Sequence, residues 1–366
     1  MRIPPASLMA LLMLSACTTD GTAPVASPSA LAVAPSTATM REVVREISAD
    51  AYEGRAPGTI GEEKTLAYLV QRFSALGLKP GNKGSWFQDV PLVEITAQNV
   101  SPFSFVGGKE TVTAAYGPEM VVATFRTAQP HVAVKDSPVV FVGYGINAPE
   151  KGWNDYAGID VKGKTVVILV NDPDFETPSL GGPFNGRAMT YYGRWTYKFE
   201  EAARQGAAAA IIVHDTAPAA YGWNVVQSSW GGTQQVADSA DGNAGQSAAI
   251  GWITNDKAKA LLASAGLDLA TLSAAAKKPG FRPVPLDGVT ASVSFDNVIR
   301  RHASKNVVAL LPGKSRPDEY VLYTAHWDHL GRCEKASDGD DICNGAVDNA
   351  TGVGALVAIA EANMRA

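Results

Sequence analysis

Apolar positions change their period several times along this chain, and each change predicts a different element. Over 61–76, Thr65, Leu66, Leu69, Val70 and Phe73 recur at helical spacing, and Gly77 ends the run. Residues 39–49 read as another helix, separated from the first by the Gly- and Pro-containing loop Tyr52-Glu53-Gly54-Arg55-Ala56-Pro57-Gly58-Thr59. Residues 86–125 alternate as strands do, most clearly over 121–125. Beyond Pro130 the texture shifts to short apolar runs at 139–143, 165–170, 207–213 and 250–253, which predict buried strands. Helices are expected over 197–205 and 256–264, and the Pro-rich stretch 277–287 reads as a connector. Further strands are expected at 306–311 and 319–325, around the Pro312-Gly313 turn, then a helix over 352–363. Strands alternating with helices predict an α/β sheet.

The first residues have a separate pattern. Arg2 precedes a short apolar core at 8–14, followed by Leu14-Ser15-Ala16-Cys17. Small residues before a Cys resemble a bacterial lipobox, in which that Cys becomes the lipidated N-terminus. Residues 1–16 then read as a signal peptide. The Thr-, Ala-, Pro- and Ser-rich residues 17–38 read as a flexible tether. This predicts an exported protein of the bacterial cell envelope, lipid-anchored at the periplasmic side or the cell surface. With Cys17 so used, Cys333 and Cys343 read as a disulfide pair in an oxidising compartment. A cysteine-ligated metal site would need cysteines that the chain does not contain.

Composition narrows the class. Apolar residues make up 46% of the 366 and charged residues 18%, which is globular composition. A formal net charge of −5 argues against a nucleic-acid partner. The longest apolar run is the N-terminal one and is too short to span a bilayer, so the membrane contact expected is through a lipid anchor alone. Multi-span membrane proteins, collagen-like fibres and disulfide-dense mini-proteins are excluded.

Candidate chemistry follows the strand expected at 319–325, where His326-Trp327-Asp328-His329-Leu330-Gly331 stands. Open α/β sheets place their sites at the carboxyl ends of strands. His326 and Asp328 are two apart, so in extended chain both project to one face. A neutral imidazole ligates zinc well, and a neighbouring carboxylate can hold its other ring N–H. Further on, Asn344-Gly345-Ala346-Val347-Asp348-Asn349-Ala350-Thr351-Gly352 puts a carboxylate in a small-residue turn at a helix start. By itself Asp348 also fits a helix N-terminal acid favoured by the dipole.

The two segments together resemble the di-zinc aminopeptidases of metallopeptidase family 28, the group that includes glutamate carboxypeptidase II and, as an inactive relative, the transferrin receptor. The segment from Glu53-Gly54-Arg55-Ala56-Pro57-Gly58 through Gly61-Glu62 to Leu76-Gly77-Leu78-Lys79-Pro80-Gly81 resembles the start of their catalytic domains. The block 130–265 resembles their inserted protease-associated domain. That likeness rests on Val142-Gly143-Tyr144-Gly145-Ile146, on 155–164 and on 201–212. The resemblance implies a three-layer α/β/α zinc-aminopeptidase-like sheet domain, incomplete here, with an inserted β-rich protease-associated domain. Its parts would be 39–129, then 130–265 as the insert, then 266–366.

For site residues the resemblance implies that His326 binds one zinc, that Asp348 bridges two, and that Asp328 orients His326. It also implies a cis peptide between Asp348 and Asn349. The implied activity is removal of N-terminal residues from peptides by a water bridging two zinc ions. The same family pattern continues with a Glu-Glu pair and further ligands, none of which follows Asp348. The chain therefore reads as a fragment lacking the general-base Glu. Glu62-Glu63 lies far upstream at a helix start and is no substitute. A non-catalytic peptide- or protein-binding envelope protein of the same fold is the alternative, and a carboxypeptidase or dipeptidase of that fold is another.

His329 reads as a loop residue beside the site. His131, His214 and His302 show no ligand spacing and read as structural or surface. The acidic loop 334–341 lacks regular calcium-loop spacing and reads as solvated. Tyr191, Tyr192, Trp195, Tyr197, Trp223 and Trp230 read as a cluster that either packs or edges a cleft.

Overall fold

The structure is a computed structural model that describes residues 33–333, 335, 337 and 339–366. Cys17, the signal segment 1–16 and residues 17–32 of the tether lie outside the described residues. Helix α1 covers Thr37–Ile47 and α2 covers Ile60–Ala75. Strands β1 (Phe87–Gln98), β2 (Phe103–Val106), β3 (Val112–Ala114), β4 (Met120–Ala123), β5 (His131–Phe141) and β6 (Thr165–Leu169) follow. Then come α3 (Trp195–Arg204), β7 (Ala209–His214), α4 (Trp223–Trp230), β8 (Gln234–Ala237) and β9 (Ala249–Thr254). Helices α5 (Asn255–Ser264) and α6 (Leu269–Ala276), the long strand β10 (Val284–Val307) and α7 (Thr351–Arg365) complete the order. Among the described residues no helix is long and apolar enough to cross a membrane.

The protein is a mixed α/β fold around one ten-stranded sheet ordered β8-β1-β10-β5-β6-β7-β9-β4, with β2 paired to β10 and β3 to β2. Strands β5, β6, β7 and β9 are mutually parallel, and the flanking pairs are antiparallel. Parallel strands are covered on both faces, which is why they read as continuous apolar runs. In β6 all of Thr165–Leu169 is buried. Val167 and Leu169 face a core shared with α5 and α6, while Val166 and Ile168 face one shared with α3 and α4. Antiparallel β10 alternates instead, burying Val289, Ala291, Val293 and Phe295 and leaving Ser292 and Ser294 partly exposed.

Three expectations are corrected. The stretch 277–287 is a connector only in its first part, because β10 begins at Val284. The strand expected at 306–311 divides between the end of β10 and a two-residue bridge in which Ala309–Leu310 pairs with Lys79–Pro80. The strand expected at 319–325 is not a strand: Tyr320, Val321 and Leu322 are 78%, 81% and 84% exposed. Strand composition does not make a ladder, which needs a neighbouring chain to take its N–H and C=O groups. Helices on both faces of a parallel sheet occur within 131–276, and ladders cross the positions 130 and 265, since β4 pairs β9 and β10 pairs β5.

A third core joins α1, α2 and α7, where Val43, Ile47, Leu66, Leu69 and Phe73 meet Val353, Val357 and Trp327. It is tied to the sheet by Glu62, a buried carboxylate at the start of α2. Glu62 accepts from Gly58 N at 2.5 Å, from Ser304 Oγ at 2.9 Å and from Lys305 N at 3.1 Å, the last two on β10. These contacts make it a structural group.

His214, at the end of β7, is buried and ringed by Tyr221, Trp223 and Trp252. Its Nε2–H donates to Tyr221 O at 3.0 Å, and burial lowers its pKa below the ordinary histidine value. A histidine kept neutral by folding contributes stability in full above its unfolded pKa of roughly 6.5, and loses it as pH falls below that value. His214→Gln should therefore flatten the decline in melting temperature between about pH 6.5 and 5. An unchanged slope would show that other groups set it.

Candidate metal centre

Three turns build the site. The first is the helical turn Asp50–Arg55, where Glu53, Gly54 and Arg55 have φ of 46°, 68° and 54°. Three successive left-handed residues are costly, at about 1–3 kcal/mol for each non-glycine residue, and persist only where packing demands them. Here the demand is close approach. A Cβ on Gly54 would lie 2.3 Å from Gly331 O and 2.7 Å from Cys343 O. Those residues belong to a small hairpin, Gly331–Arg332 against Ile342–Cys343, whose base carries the disulfide Cys333–Cys343 with Cα atoms 5.9 Å apart.

The second turn is His326–Gly331. Trp327 points into the third core, 8% exposed, and its Nε1 donates to Lys305 O at 3.0 Å. With the indole anchored inward, His326 and Asp328 fall on the outer side. His326 Nδ1 lies 3.2 Å from Asp328 O and 3.4 Å from Asp328 Oδ1. The third turn is Asn344–Ala350, which leads into α7. Gly345 has φ 59°, and the Asp348-Asn349 peptide is cis. Asp348 Oδ1 stands 3.1 Å from His326 Nε2.

The structure thus brings His326, Asp328 and Asp348 together, with one ring nitrogen toward each carboxylate. Their side chains are 54%, 44% and 72% exposed, so the group opens to solvent. A nitrogen and an oxygen about 3 Å apart suit two ligands of one divalent ion with bonds of roughly 2.0–2.2 Å each. The neutral-imidazole and carboxylate donor set suits zinc among others. Among the described residues no three His, Cys, Asp or Glu side chains are placed to hold one metal ion together, so His326 and Asp348 make a two-ligand half-site. Glu361 does not add to it, since it accepts from Thr39 Oγ1 at 2.6 Å and pairs with Arg365.

Two residues named in the sequence motifs have side-chain roles here that residue order did not reveal. Asn349 joins the turns: its Nδ2 donates to His326 O at 3.3 Å, and its Oδ1 accepts from Gly352 N at 3.2 Å, capping α7. Arg55 is fully buried. Its Nε donates to Trp327 O at 2.8 Å, Nη1 to Asn344 O at 2.6 Å and to Ile47 O, and Nη2 to Gly345 O at 3.0 Å. Burial pulls its pKa below the ordinary value, against the charges of Asp328 and Asp348. His329 N donates to the main-chain oxygen of Arg55 at 3.3 Å. Burial lowers the His329 pKa, opposed by Asp348 and reinforced by the nearby guanidinium. The six aromatics expected as one cluster fall into two contact groups. Tyr191, Tyr192 and Tyr197 form one, and in the other Trp195 packs on Trp230, which is joined to Trp223 through Trp252 and His214.

In a mixed α/β protein, a histidine and a carboxylate that face each other at 3.1 Å define a candidate divalent-metal half-site. Residues 306–365 match the sequence profile of peptidase family M28, a segment that includes His326, Asp328 and Asp348. No curated protein matches the chain. Similar solved structures include the aminopeptidase from Aneurinibacillus sp. strain AM-1, at 20% identity and TM-score 0.40 over 90% of this chain and 60% of that one. BSAP, a zinc aminopeptidase from Bacillus subtilis, is 14% identical at TM-score 0.36 over 91% and 58%. The peptidase M28 precursor from Shewanella amazonensis SB2B is 15% identical at TM-score 0.38 over 90% and 63%. The chain spans about 60% of the length of these solved chains.

Gly345 tests the crowding of the site. A Cβ there would meet Asp348 O at 2.5 Å, an Arg55 Nη2 at 2.6 Å and His329 Cγ at 2.6 Å, whereas one on Gly163, at φ 71°, would meet nothing within 4 Å. Both alanine variants carry the left-handed cost of roughly 1–2 kcal/mol. Gly345→Ala should lose clearly more than Gly163→Ala in urea denaturation. Equal losses would mean that the three turns yield at no cost.

Proposed function

We propose that this protein acts as a zinc-dependent metallo-exopeptidase, an aminopeptidase that removes N-terminal residues from peptides. The observation that carries the reading is His326 Nε2 facing Asp348 Oδ1 at 3.1 Å inside the segment that matches the peptidase family. A zinc ion held there, or a pair of ions, would supply a Lewis acid and a bound water of lowered pKa. The chain's own residues do the rest of what can be assigned. Asp328, beside His326 Nδ1, holds the tautomer whose Nε2 lone pair is free to ligate. Asp348 contributes negative charge on the opposite side. Asn349 keeps the two turns at fixed separation through the His326 carbonyl. The open exposure of the three side chains leaves room for a peptide end.

Two measurements test this. Isothermal titration with Zn2+ should show binding that His326→Ala abolishes and that Asp328→Asn weakens by about 10–100-fold. Hydrolysis of aminoacyl-p-nitroanilides should stop on chelation, and cleavage that survives the chelator would refute the reading.

A second reading is favoured by the two-ligand count among the described residues. In it the protein binds peptides without cleaving them. Peptide binding with no turnover, in the presence of bound zinc, would select that reading over the first. For location, we infer export to the bacterial cell envelope with a lipid on Cys17. Cys17→Ser should move the protein from the membrane fraction to the soluble one.

A further inference from the structure

The strongest unexplained feature of the molecule is a charged side chain with no exposed surface, Arg55. It rises from a strained left-handed turn, and all four of its acceptors are main-chain carbonyl oxygens. Those carbonyls come from three separate places. Ile47 O is at the C-terminal end of α1, where the helix dipole favours a cation. Trp327 O lies between His326 and Asp328. Asn344 O and Gly345 O begin the turn that carries Asp348. The main-chain oxygen of Arg55 also takes His329 N, so the residue holds the second turn at two points.

A planar guanidinium presents its N–H groups in a fixed fork, so three segments bonded to it cannot shift independently. An ammonium on a flexible stem could satisfy some of the same oxygens without imposing their relative placement. The positive charge also stands behind Asp328 and Asp348, and both carboxylates act on it. Two carboxylates directed at one site repel each other before any cation arrives, and a fixed internal cation offsets that repulsion.

We propose that Arg55 is a positioning residue of the metal centre, clamping the His326–Asp328 turn and the Asn344–Asp348 turn into the spacing that brings the two ligands together. This rests on the metal-site reading given above. It adds a role for the Glu53-Gly54-Arg55 turn, which touches neither candidate ligand side chain and works through the main chain of both turns.

The test uses the whole chain and three variants. Arg55→Lys keeps the charge and loses the fork. Arg55→Met loses both. Phe73→Leu loosens the same helical core while leaving every hydrogen bond of the turns in place. Amide hydrogen exchange and Co2+ binding, the latter followed by its d–d absorption, are measured for each. Arg55→Lys should lose protection at 326–329 and 344–350 together, with α2 and the sheet unchanged. It should also weaken Co2+ binding by about 10–100-fold with an altered absorption band. Phe73→Leu should lower the melting temperature while leaving the Co2+ band and affinity as they were. The proposal is overturned if Arg55→Lys keeps wild-type protection at either turn, or loses it evenly across the helical core as Phe73→Leu does. It is equally overturned if Arg55→Lys does not fold, since Arg55 would then be a general requirement of the fold; Arg55→Met is scored only if it folds. If the wild-type protein takes up no Co2+, the metal reading fails, and exchange at the two turns still decides the role of Arg55.

Discussion

A guanidinium removed from water must find acceptors for its N–H groups or cost several kcal/mol. Around Arg55 that requirement is met by carbonyl oxygens at the ends of three chain segments, and the local architecture is organised by it. The dependence runs both ways. Each of those carbonyls sits at a helix end or in a turn, where no regular ladder would satisfy it. Side chain and turns therefore complete one another, and neither arrangement is reachable without the left-handed path of Glu53 and Gly54.

The site is linked to the sheet by a second buried charge. Glu62 receives Ser304 and Lys305 at the end of β10, and Lys305 O in turn receives the Trp327 indole. Strand β10 begins beside β5, runs past β2 and ends alongside β1. The same strand thus orders the sheet at one end and fixes the depth of the His326 turn at the other. Asn349 then transmits that placement to α7 by bonding the His326 carbonyl and the helix N-terminus together.

Much of this could be read from residue order where a single face decides the structure. Leu66, Leu69 and Phe73 place one side of α2 in a core, and the unbroken apolar runs of β6, β7 and β9 reflect burial on both faces. Strand β10 was hidden because Pro285 and the Asp287-Gly288 step interrupt its alternation, where the pairing with β5 shifts register between Pro285 and Thr290. The stretch 319–325 misled in the opposite way, since side-chain propensity carries no information about whether a neighbouring strand exists. In the site, His326 and Asp328 follow from a two-residue period, while their meeting with Asp348 came from resemblance to a family. Arg55 could not be found in that way. An arginine in a Gly- and Pro-containing loop has the composition of a solvated residue, and only the position of distant carbonyls buries it.

The uncovered segment Tyr320-Val321-Leu322-Tyr323 has a consequence for the protein as a solute. It combines aromatic and branched side chains with no charge and no proline, and it stands unpaired on the surface. Segments of that kind are templates for strand addition from another molecule.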